Sequence, residues 1–296
     1  MPVLRKELKG VLEESELKKV IKSYDVIGDT ILIKVHPDLE SKRGIIAEAL
    51  HKIYPHVRSI AAVPLYAHIH GLYRTRDIEV IWGDENMETT HKESGCLFKV
   101  NPKRVFFSPR LSYERMRVAR KVMAGETIIN MFSGVGCFSI IIAKIQPQTK
   151  IYSIDVNPYA YEYMNKNVRL NKMEGSVIPI LGDVREELKR SGLEGVADRV
   201  LMPLPEEAHS FLPLAVRALK LDKDKGGARG VIHYYDVSTG GRGDDLFDMP
   251  IKRARGIISS VFGDSLRLKI EERRIVRSVA PRRYHVVLDL DLHVGD

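Results

Sequence analysis

In the later part of the chain, short apolar runs alternate with segments whose apolar residues have helical spacing. Thr127 to Met131, Ile151 to Ile154 and Val177 to Leu181 are β-branched or apolar, which is typical of parallel strands buried on both faces. Asp198 to Met202 and Gly230 to Asp236 continue the series. The segments between these runs carry apolar residues at helical intervals. The alternation predicts an α/β fold with a mostly parallel, doubly wound sheet.

The amino-terminal part of the chain has a different pattern. Amphipathic helices are predicted over Leu4 to Lys22 and over Lys42 to Tyr54. The segment between them, Ser23 to Val35, has the alternation and the Gly-Asp turn of a β-hairpin. We therefore expect two domains, a small α+β module over residues 1–100 and a larger α/β domain over residues 101–296.

The larger domain begins and ends with elements outside the alternation. Asn101 to Gly125 is the connection from the first module, and it contains a basic helix, Leu111 to Val122. Leu266 to Val276 and Tyr284 to Leu292 have the pattern of two strands. We expect this last pair to add an antiparallel edge to the sheet.

One stretch of the larger domain predicts a nucleoside-binding site. Gly134 and Gly136 follow the first strand and allow a tight turn close to a ligand, and Asp155 ends the next strand. An acidic residue at that distance takes ribose hydroxyls in doubly wound sheets. The third glycine of a dinucleotide fingerprint and a Walker lysine are both missing, which favours a ligand without phosphates, such as S-adenosylmethionine. An ordinary turn in a plain βαβ unit is the alternative.

Composition narrows the class of protein and of partner. The 296 residues carry a formal net charge of +8, with a pI of about 9.3, which suits a polyanion, although a basic surface without a ligand has the same charge. Cys96 and Cys137 are too few for a disulfide framework or a zinc site, and His209 and His233 lack ligand spacing with them. We expect a cytoplasmic protein without a metal. No apolar run approaches the length of a membrane span, so we expect no membrane.

Seven short motifs spread over nearly the whole chain form a specific combination. They are Ile21–Asp29, Gly71–Arg76, Phe107–Leu111, Met131–Gly136, Ile154–Pro158, Leu181–Asp183 and His233–Asp236. In this combination the chain resembles the archaeal-type tRNA (guanine-37-N1)-methyltransferases, which are related to enzymes of the wyosine pathway. The resemblance implies a class I, Rossmann-like methyltransferase domain that uses S-adenosylmethionine, behind a small tRNA-recognition module. It implies methylation of guanine N1, 3′ of the anticodon, with the tRNA anticodon arm as the partner, and we expect a monomer without a protein partner.

Two departures from the family pattern bear on the substrate. Family members often carry an additional amino-terminal domain, which we expect this chain to lack. After the fourth strand the family usually has Asn-Leu-Pro or Asn-Pro-Pro, whereas this chain has Pro203-Leu204-Pro205. Proline at this point resembles a bifunctional subgroup that also methylates carbon-7 of a tricyclic wyosine precursor. Pro203 offers no amide to a base. We therefore hypothesise that the wall of the pocket is less polar at this point and admits a larger base.

The resemblance also assigns roles to individual residues. Glu114 is the catalytic base and Arg74 the partner of guanine O6, where negative charge accumulates. The residues assigned to the cofactor are Arg115, Phe132, Gly134, Gly136, Asp155, Val156, Asp183, Val184 and Pro203. Those assigned to the substrate are Arg76, Phe106, Arg110 and Pro205.

Each assignment has a structural alternative. Glu114 could form an ordinary ion pair with Arg115 or Arg117, and Arg74 or Arg76 could contact phosphate. Asp155 and Asp183 could cap the helices that follow their strands. The basic stretches are equally consistent with RNA contact and with a solvated surface; they are Lys252–Arg255, Arg273–Arg274 and Arg282–Arg283.

Two other functions stay open on the sequence alone. An aminocarboxypropyl transferase of the wybutosine pathway uses the same cofactor but breaks a different carbon–sulfur bond. A non-catalytic RNA-binding protein would keep the pocket without turnover. The released product separates methyl transfer from aminocarboxypropyl transfer, since the first yields S-adenosylhomocysteine and the second yields methylthioadenosine.

Overall fold

The chain folds into two compact units. The computed structural model describes residues 3–64, 71, 73, 75–221, 229–263 and 266–294. The units are Met1–Ser112 and Tyr113–Asp296. The assignment of residues 1–100 and 101–296 to separate tasks stays a prediction.

The first unit is built on a four-stranded sheet with an additional hairpin. Its elements are α1 (Val3–Glu7), α2 (Glu14–Lys19), β1 (Tyr24–Ile27), β2 (Thr30–Val35), α3 (Arg43–Ile53), β3 (Ser59–Pro64), β4 (Glu79–Gly83), β5 (Thr89–Glu93) and β6 (Cys96–Val100). The sheet has the order β1-β2-β3-β4, and β5 pairs with β6 in a separate two-stranded sheet. Strands β2 and β3 are parallel, so α3 forms the crossover between them. Apolar residues of α1, α2, α3 and β2 form one core.

The single helix expected over Leu4 to Lys22 is wrong, because the chain forms two short helices there. Gly10 adopts φ 85°, a left-handed conformation that ends the first helix. The second helix starts with a capping box, in which Glu13 and Glu16 bond each other's backbone N–H groups. The apolar stripe is still buried, since Leu4, Leu8, Leu12 and Leu17 all enter the core.

The second unit is the α/β domain. Its elements are α4 (Ser112–Lys121), β7 (Thr127–Asn130), α5 (Cys137–Ile145), β8 (Lys150–Asp155), α6 (Pro158–Leu170), β9 (Val177–Leu181), α7 (Val184–Arg190), β10 (Arg199–Met202), α8 (Ala208–Ala218), β11 (Arg229–Thr239), α9 (Asp248–Phe262), β12 (Leu266–Ala280) and β13 (Arg283–Val294). The seven strands have the order β12-β13-β11-β10-β7-β8-β9. Strands β7 to β11 are mutually parallel, and β13 is antiparallel to both β11 and β12. The predicted doubly wound sheet and its antiparallel edge are confirmed.

The strand order places the ligand crevice. From β7 the chain first adds β8 and β9 on one side, and then β10 and β11 on the other. The order therefore reverses between β7 and β10. Ligands of open α/β sheets bind outside the carboxyl ends of the strands at such a reversal. Here the end of β7 leads into the loop that carries Gly134, and the end of β10 leads into Pro203.

Apolar packing makes this sheet a rigid platform. Buried side chains of β7, β10, β11 and β13 form one cluster with α7, α8 and α9, and Ile129, Val200, Ile232 and Leu290 are almost fully covered within it. Close packing of this kind holds strand ends in fixed positions. Among the described residues, no helix is both long and apolar enough to cross a membrane.

Strand β12 is one edge of this sheet. Its exposed and half-buried positions alternate, and Arg267, Lys269, Glu271 and Arg273 occupy the exposed ones. Its pairing with β13 is interrupted by three register shifts. The edge is therefore charged and irregular along its length.

Candidate functional site

The loop between β7 and α5 is shaped by its glycines. Gly134 has φ 54° and Gly136 has φ 90°, both in the left-handed region. The Ser133 N–H donates to the Ile154 carbonyl at 2.9 Å, and the Gly136 N–H donates to the Ser133 carbonyl at 3.0 Å. The turn is thus joined to β8, and it opens directly into α5.

Asp155 connects the two loops at the crest of the sheet. Its Oδ2 accepts the Gly134 N–H at 2.6 Å, and its Oδ1 accepts the Asn157 N–H at 2.9 Å. Burial raises the pKa of Asp155, and the two backbone donors oppose that rise. Asn157, rather than Asp155, caps α6. Each carboxylate oxygen accepts one of these backbone N–H groups, which leaves it capacity for a ligand hydroxyl.

Asp183 at the end of β9 does cap a helix. Its Oδ1 accepts the Arg185 N–H at 2.9 Å, and its Oδ2 also accepts the Arg185 Nη2 at 2.6 Å. The Arg185 guanidinium lies 5.3 Å from the centre of the Phe211 ring, which packs edge-on against Phe132 at 5.0 Å. Asp183, Phe132 and Phe211 therefore lie together beside the glycine loop, and Val184 is buried in the core beneath them.

The segment after β10 forms another wall of the crevice. Pro203 and Pro205 are half-buried, and Leu204 between them packs on the main core. Glu206 follows, and its Oε1 lies 3.2 Å from Nε2 of His285 on β13. The segment is thus attached to the sheet at both ends.

Glu114 is buried in the first turn of α4 and held by two donors. Its Oε1 accepts the Tyr235 hydroxyl at 2.7 Å and Arg117 Nη2 at 2.8 Å, and its Oε2 accepts Arg117 Nε at 2.9 Å. The side chain of Glu114 is 3 % exposed. The ion pair with Arg117 that the sequence left open is therefore present, but it is a buried one. Arg115, the next residue, is also buried.

Arg117 continues into a buried polar network. Its Nη1 donates to Asp289 Oδ2 at 2.7 Å and to Glu272 Oε2 at 3.0 Å. Asp289 also accepts Lys121 Nζ at 2.5 Å and His233 Nδ1 at 2.6 Å. One carboxylate thus receives donors from α4 and from β11.

The partners of His233 identify its tautomer. Arg199 Nη1 lies 2.8 Å from Nε2 of His233, and a guanidinium can only donate. Nε2 is therefore unprotonated, and Nδ1 carries the hydrogen that is donated to Asp289. Arg199 is itself paired with Glu126 at 2.7 Å. The imidazole is neutral and fully enclosed.

The network shifts several pKa values. Burial lowers the pKa of His233 below its usual range. Burial alone would raise the pKa of Asp289, but the His233 and Arg117 donors hold it well below its usual range. Burial, together with the neighbouring Glu114, raises the pKa of Tyr235 well above 10.0. Tyr235 is therefore a permanent donor at neutral pH, and Asp289 is a permanent anion.

Three of the predicted substrate residues can be described within the first unit, and Arg74 lies outside the described residues. The Arg76 guanidinium lies 4.9 Å from the centre of the Phe106 ring, and Arg110 Nε donates to Asp25 Oδ1 at 2.6 Å. Burial and then the nearby charges of Arg76 and Arg110 lower the pKa of Lys34. Lys34 thus lies near the two cations Arg76 and Arg110, of which Arg76 covers Phe106 and Arg110 is paired with Asp25.

Sequence reasoning offered Arg117 as a partner of Glu114, but it missed Lys34, Tyr235 and the rest of the network around Glu114. Tyr235 and His233 are polar residues two positions apart on a buried strand, and Asp289 interrupts an apolar run on another. Buried polar residues require partners, so these interruptions were an available signal. Arg117, three residues after Glu114 on a helix, was another.

Comparison with known proteins covers both units. Residues 89–262 match the TRM5/TYW2 methyltransferase domain, and residues 4–86 match the TYW2 N-terminal domain. The chain is 35% identical to Pyrococcus abyssi tRNA (guanine(37)-N(1))-methyltransferase Trm5b over 90% of its own length and 74% of the relative. It is 38% identical to Saccharolobus solfataricus tRNA 4-demethylwyosine(37)-methyltransferase Taw21, over 91% of this chain and 93% of the relative. It is 34% identical to the Methanocaldococcus jannaschii tRNA(Phe) (4-demethylwyosine(37)-C(7)) aminocarboxypropyltransferase, over 90% and 96%.

Solved structures give the same grouping. Trm5b from P. abyssi superposes with a TM-score of 0.80 at 34% identity, covering 95% of this chain and 78% of that one. A complex of aTrm5 with tRNALeu has a TM-score of 0.80 at 35% identity, covering 99% and 78%. M. jannaschii TYW2 in complex with AdoMet has a TM-score of 0.68 at 29% identity, covering 92% and 100%.

Proposed function

The chain belongs to the TRM5/TYW2 methyltransferase family, and from that membership we propose that it transfers a methyl group from S-adenosylmethionine to N1 of guanine 37 in tRNA. The observation that carries the proposal is that the matched domain includes the glycine loop, Asp155 and Glu114. Relatives named for this reaction align with most of the chain.

The residues at the crest of the sheet fit the cofactor. Gly134 and Gly136 allow close approach of a ligand, and Asp155 keeps acceptor capacity for ribose hydroxyls. Phe132 and Asp183 would hold the adenine, with the backbone of Val156 and Val184 beside it, while Arg115 would face the methionine carboxylate. Pro203 would close the wall at β10. When bound, S-adenosylmethionine supplies an activated methyl group on a sulfonium and leaves as S-adenosylhomocysteine.

Glu114 would manage the proton of the acceptor. Guanine N1 carries hydrogen at neutral pH, and its lone pair becomes a good nucleophile only as that proton leaves. Glu114 would take the proton from N1 as N1 accepts the methyl group that the bound sulfonium would supply. Arg74 would stabilise the negative charge that collects on O6. The buried setting strengthens these interactions relative to water.

The first unit supplies the proposed RNA contacts. Arg76 lies over the Phe106 ring, and Lys34 lies near the charges of Arg76 and Arg110, an arrangement suited to a phosphate backbone and an unstacked base. A complex of aTrm5 with tRNALeu supports tRNA as the partner. We place Pro205 beside the target base, and we propose recognition of the anticodon arm by a monomer in the cytoplasm.

A second substrate is favoured by one relative. The chain aligns with 93% of Taw21, whose name gives 4-demethylwyosine as its substrate. The proposal therefore extends to carbon-7 of that tricyclic base, where the same carboxylate would take the proton displaced by the methyl group. The half-buried Pro203 and Pro205 present a smooth wall to either base.

One assay separates these reactions from aminocarboxypropyl transfer. The purified protein is incubated with S-adenosylmethionine and with tRNA bearing either guanosine or 4-demethylwyosine at position 37. Mass spectrometry then identifies the modified nucleoside and the cofactor product. We expect a methylated base and S-adenosylhomocysteine, whereas methylthioadenosine would establish aminocarboxypropyl transfer.

Replacing the proposed base tests its role. In Glu114→Gln the side chain keeps its shape but accepts no proton, and we expect the methylation rate to fall about 10²- to 10⁴-fold. Calorimetric affinity for S-adenosylmethionine should change little. A variant that methylates at the wild-type rate would remove Glu114 from the mechanism.

A further inference from the structure

We propose that Tyr235, Arg117 and Glu272 are positioning residues for Glu114: the Tyr235 and Arg117 donors select the oxygen that receives the proton, and Glu272, which shares Arg117, keeps the buried carboxylate basic enough to take it. The proposal rests on Glu114 acting as the base in the reaction above. The residues concerned belong to the hydrogen-bond network that joins α4 to β11, β12 and β13.

Donor geometry leaves one place for the proton. Glu114 Oε1 receives both the Tyr235 hydroxyl and Arg117 Nη2, so both of its lone pairs are in use. Oε2 receives only Arg117 Nε among the described side chains. One lone pair of Oε2 therefore stays available, and the fixed Tyr235 and Arg117 determine where it points.

An arginine paired with a carboxylate normally makes it a poor base, because protonation would leave the guanidinium without a counter-charge. Arg117 avoids this loss by serving three acids. It also bonds Asp289 at 2.7 Å and Glu272 at 3.0 Å. When Glu114 becomes neutral, two carboxylates still compensate Arg117, so proton uptake leaves no unpaired buried cation.

Ionisable groups on four elements surround Glu114. On α4 they are Arg115, Arg117 and Lys121; on β11, Tyr235 and His233; on β12, Glu272; and on β13, Asp289. Lys121 lowers the pKa of Glu272 against the opposing effect of burial, and Asp289 is likewise held ionised. His233 stays neutral because of its burial. Glu272, Asp289 and His233 therefore keep their protonation states near neutral pH.

Two substitutions should move the acidic limb of the rate–pH profile in opposite directions. Tyr235→Phe removes a donor that stabilises the ionised carboxylate, so the limb should move to higher pH by about half to one unit. Glu272→Gln removes an anion that shares Arg117, so Arg117 holds Glu114 ionised more strongly and the limb should move to lower pH by a similar amount. Glu272 is 37% exposed in its side chain, which makes the variant structurally mild.

Tyr234→Phe is the matched control. The Tyr234 hydroxyl donates to Asp236 at 2.8 Å, so the substitution also removes a buried tyrosine–carboxylate bond, on the neighbouring residue. It should leave the limb at the wild-type pH. Single-turnover methylation with saturating tRNA, over a pH range wide enough to contain the acidic limb of each protein, gives the profiles, and thermal unfolding and S-adenosylmethionine affinity show that each variant is folded.

The outcomes distinguish this proposal from the function on which it rests. Suppose that the wild type is active, but the acidic limbs of Tyr235→Phe and Glu272→Gln coincide or move in the same direction. That result overturns the positioning role alone. A Tyr234→Phe limb displaced as far as that of Tyr235→Phe does the same. A folded wild type that methylates neither tRNA overturns both proposals.

Discussion

His233 is a neutral imidazole held between a cation and an anion. Arg199 faces its Nε2 and Asp289 faces its Nδ1, so protonation would place a second hydrogen against a guanidinium. Burial already lowers its pKa. Below about pH 6.5 an unfolded histidine binds a proton and the folded one does not, so folding must release that proton. The free energy of unfolding should therefore fall as the pH falls.

This linkage can be measured with His233→Asn. The amide of asparagine can still donate towards Asp289, but it does not titrate. We expect the variant to be destabilised at pH 8 by about 1–3 kcal/mol, because Arg199 loses an acceptor. Between about pH 6.5 and 5 the wild type should lose up to about 1.4 kcal/mol per pH unit more than the variant. Urea unfolding at a series of pH values gives both curves, and His56→Asn, at an exposed histidine, is the control. Parallel curves for wild type and His233→Asn would contradict the linkage.

At this scale, the sequence revealed groups that protrude into a site better than groups that support one. Asp155 was identifiable because an acidic residue after a second parallel strand has a recurrent use. Tyr235, Asp289 and Arg117 come together from β11, β13 and α4, and pairing between such distant residues leaves no fixed spacing in the chain. The pairing of Arg117 with Glu114 could be anticipated from their spacing on one helix, but the partners on β11 and β13 could not.

The turn between β7 and α5 shows how one element depends on a residue without a side chain. A Cβ on Gly136 would lie 3.1 Å from Met164 Cγ and 3.2 Å from Ile140 Cδ1, and φ is 90° there. Both the conformation and the space are therefore restricted. The turn positions the Gly134 amide against Asp155, so distortion of the turn should also disturb ligand binding.

Gly136→Ala should consequently lower both stability and cofactor affinity. We expect a loss of about 1–3 kcal/mol in unfolding free energy, from backbone strain and from crowding of α6. Affinity for S-adenosylmethionine should fall at least several-fold by calorimetry. Gly175→Ala is the control, because a Cβ there meets nothing within 4 Å and no left-handed φ is required. Unchanged affinity in folded Gly136→Ala would show that the turn does not shape the cofactor site.

Elements were readable from the sequence where burial is two-sided. The apolar runs of β7, β8 and β10 stand out because most of their residues are buried. The hairpin of β5 and β6 was missed, since its first strand is Thr-Thr-His-Lys-Glu and has little apolar alternation. The turn of this hairpin is formed by Ser94 and Gly95. Both residues have positive φ in the structure, as hairpin turns of two residues require, so the Ser-Gly pair was an available signal.

Charge is the property of the whole molecule that bears most directly on RNA. The net charge of +8 is a sum over both units, but only cations near the crevice can contact a tRNA held there. The turn between β12 and β13 carries exposed Arg282 and Arg283, and Arg283 pairs with Thr239 beyond the carboxyl end of the parallel strands. This turn therefore lies at the same edge of the sheet as the proposed cofactor site.

Replacing both of these arginines by glutamine should weaken tRNA binding in a salt-dependent way. Each lost phosphate contact removes about 0.7–0.9 from the slope of log K against log salt, so the double variant should lose about 1.5. Filter binding at several salt concentrations measures the slope. Lys144→Gln with Lys150→Gln is the control, because these exposed residues lie at the end of α5 and the start of β8, at the opposite edge of the sheet. Equal slopes for the two double variants would show that the turn does not contact RNA.

The outer strand of the sheet affects how copies of the protein meet. Unpaired backbone groups on an edge strand can recruit another strand and begin aggregation. On β12 the charged residues at alternate positions and the three register shifts oppose such recruitment, because a second strand would meet charged side chains and an irregular row of backbone hydrogen-bonding groups. A long sheet can thus end in solvent at high protein concentration without seeding fibrils along that side.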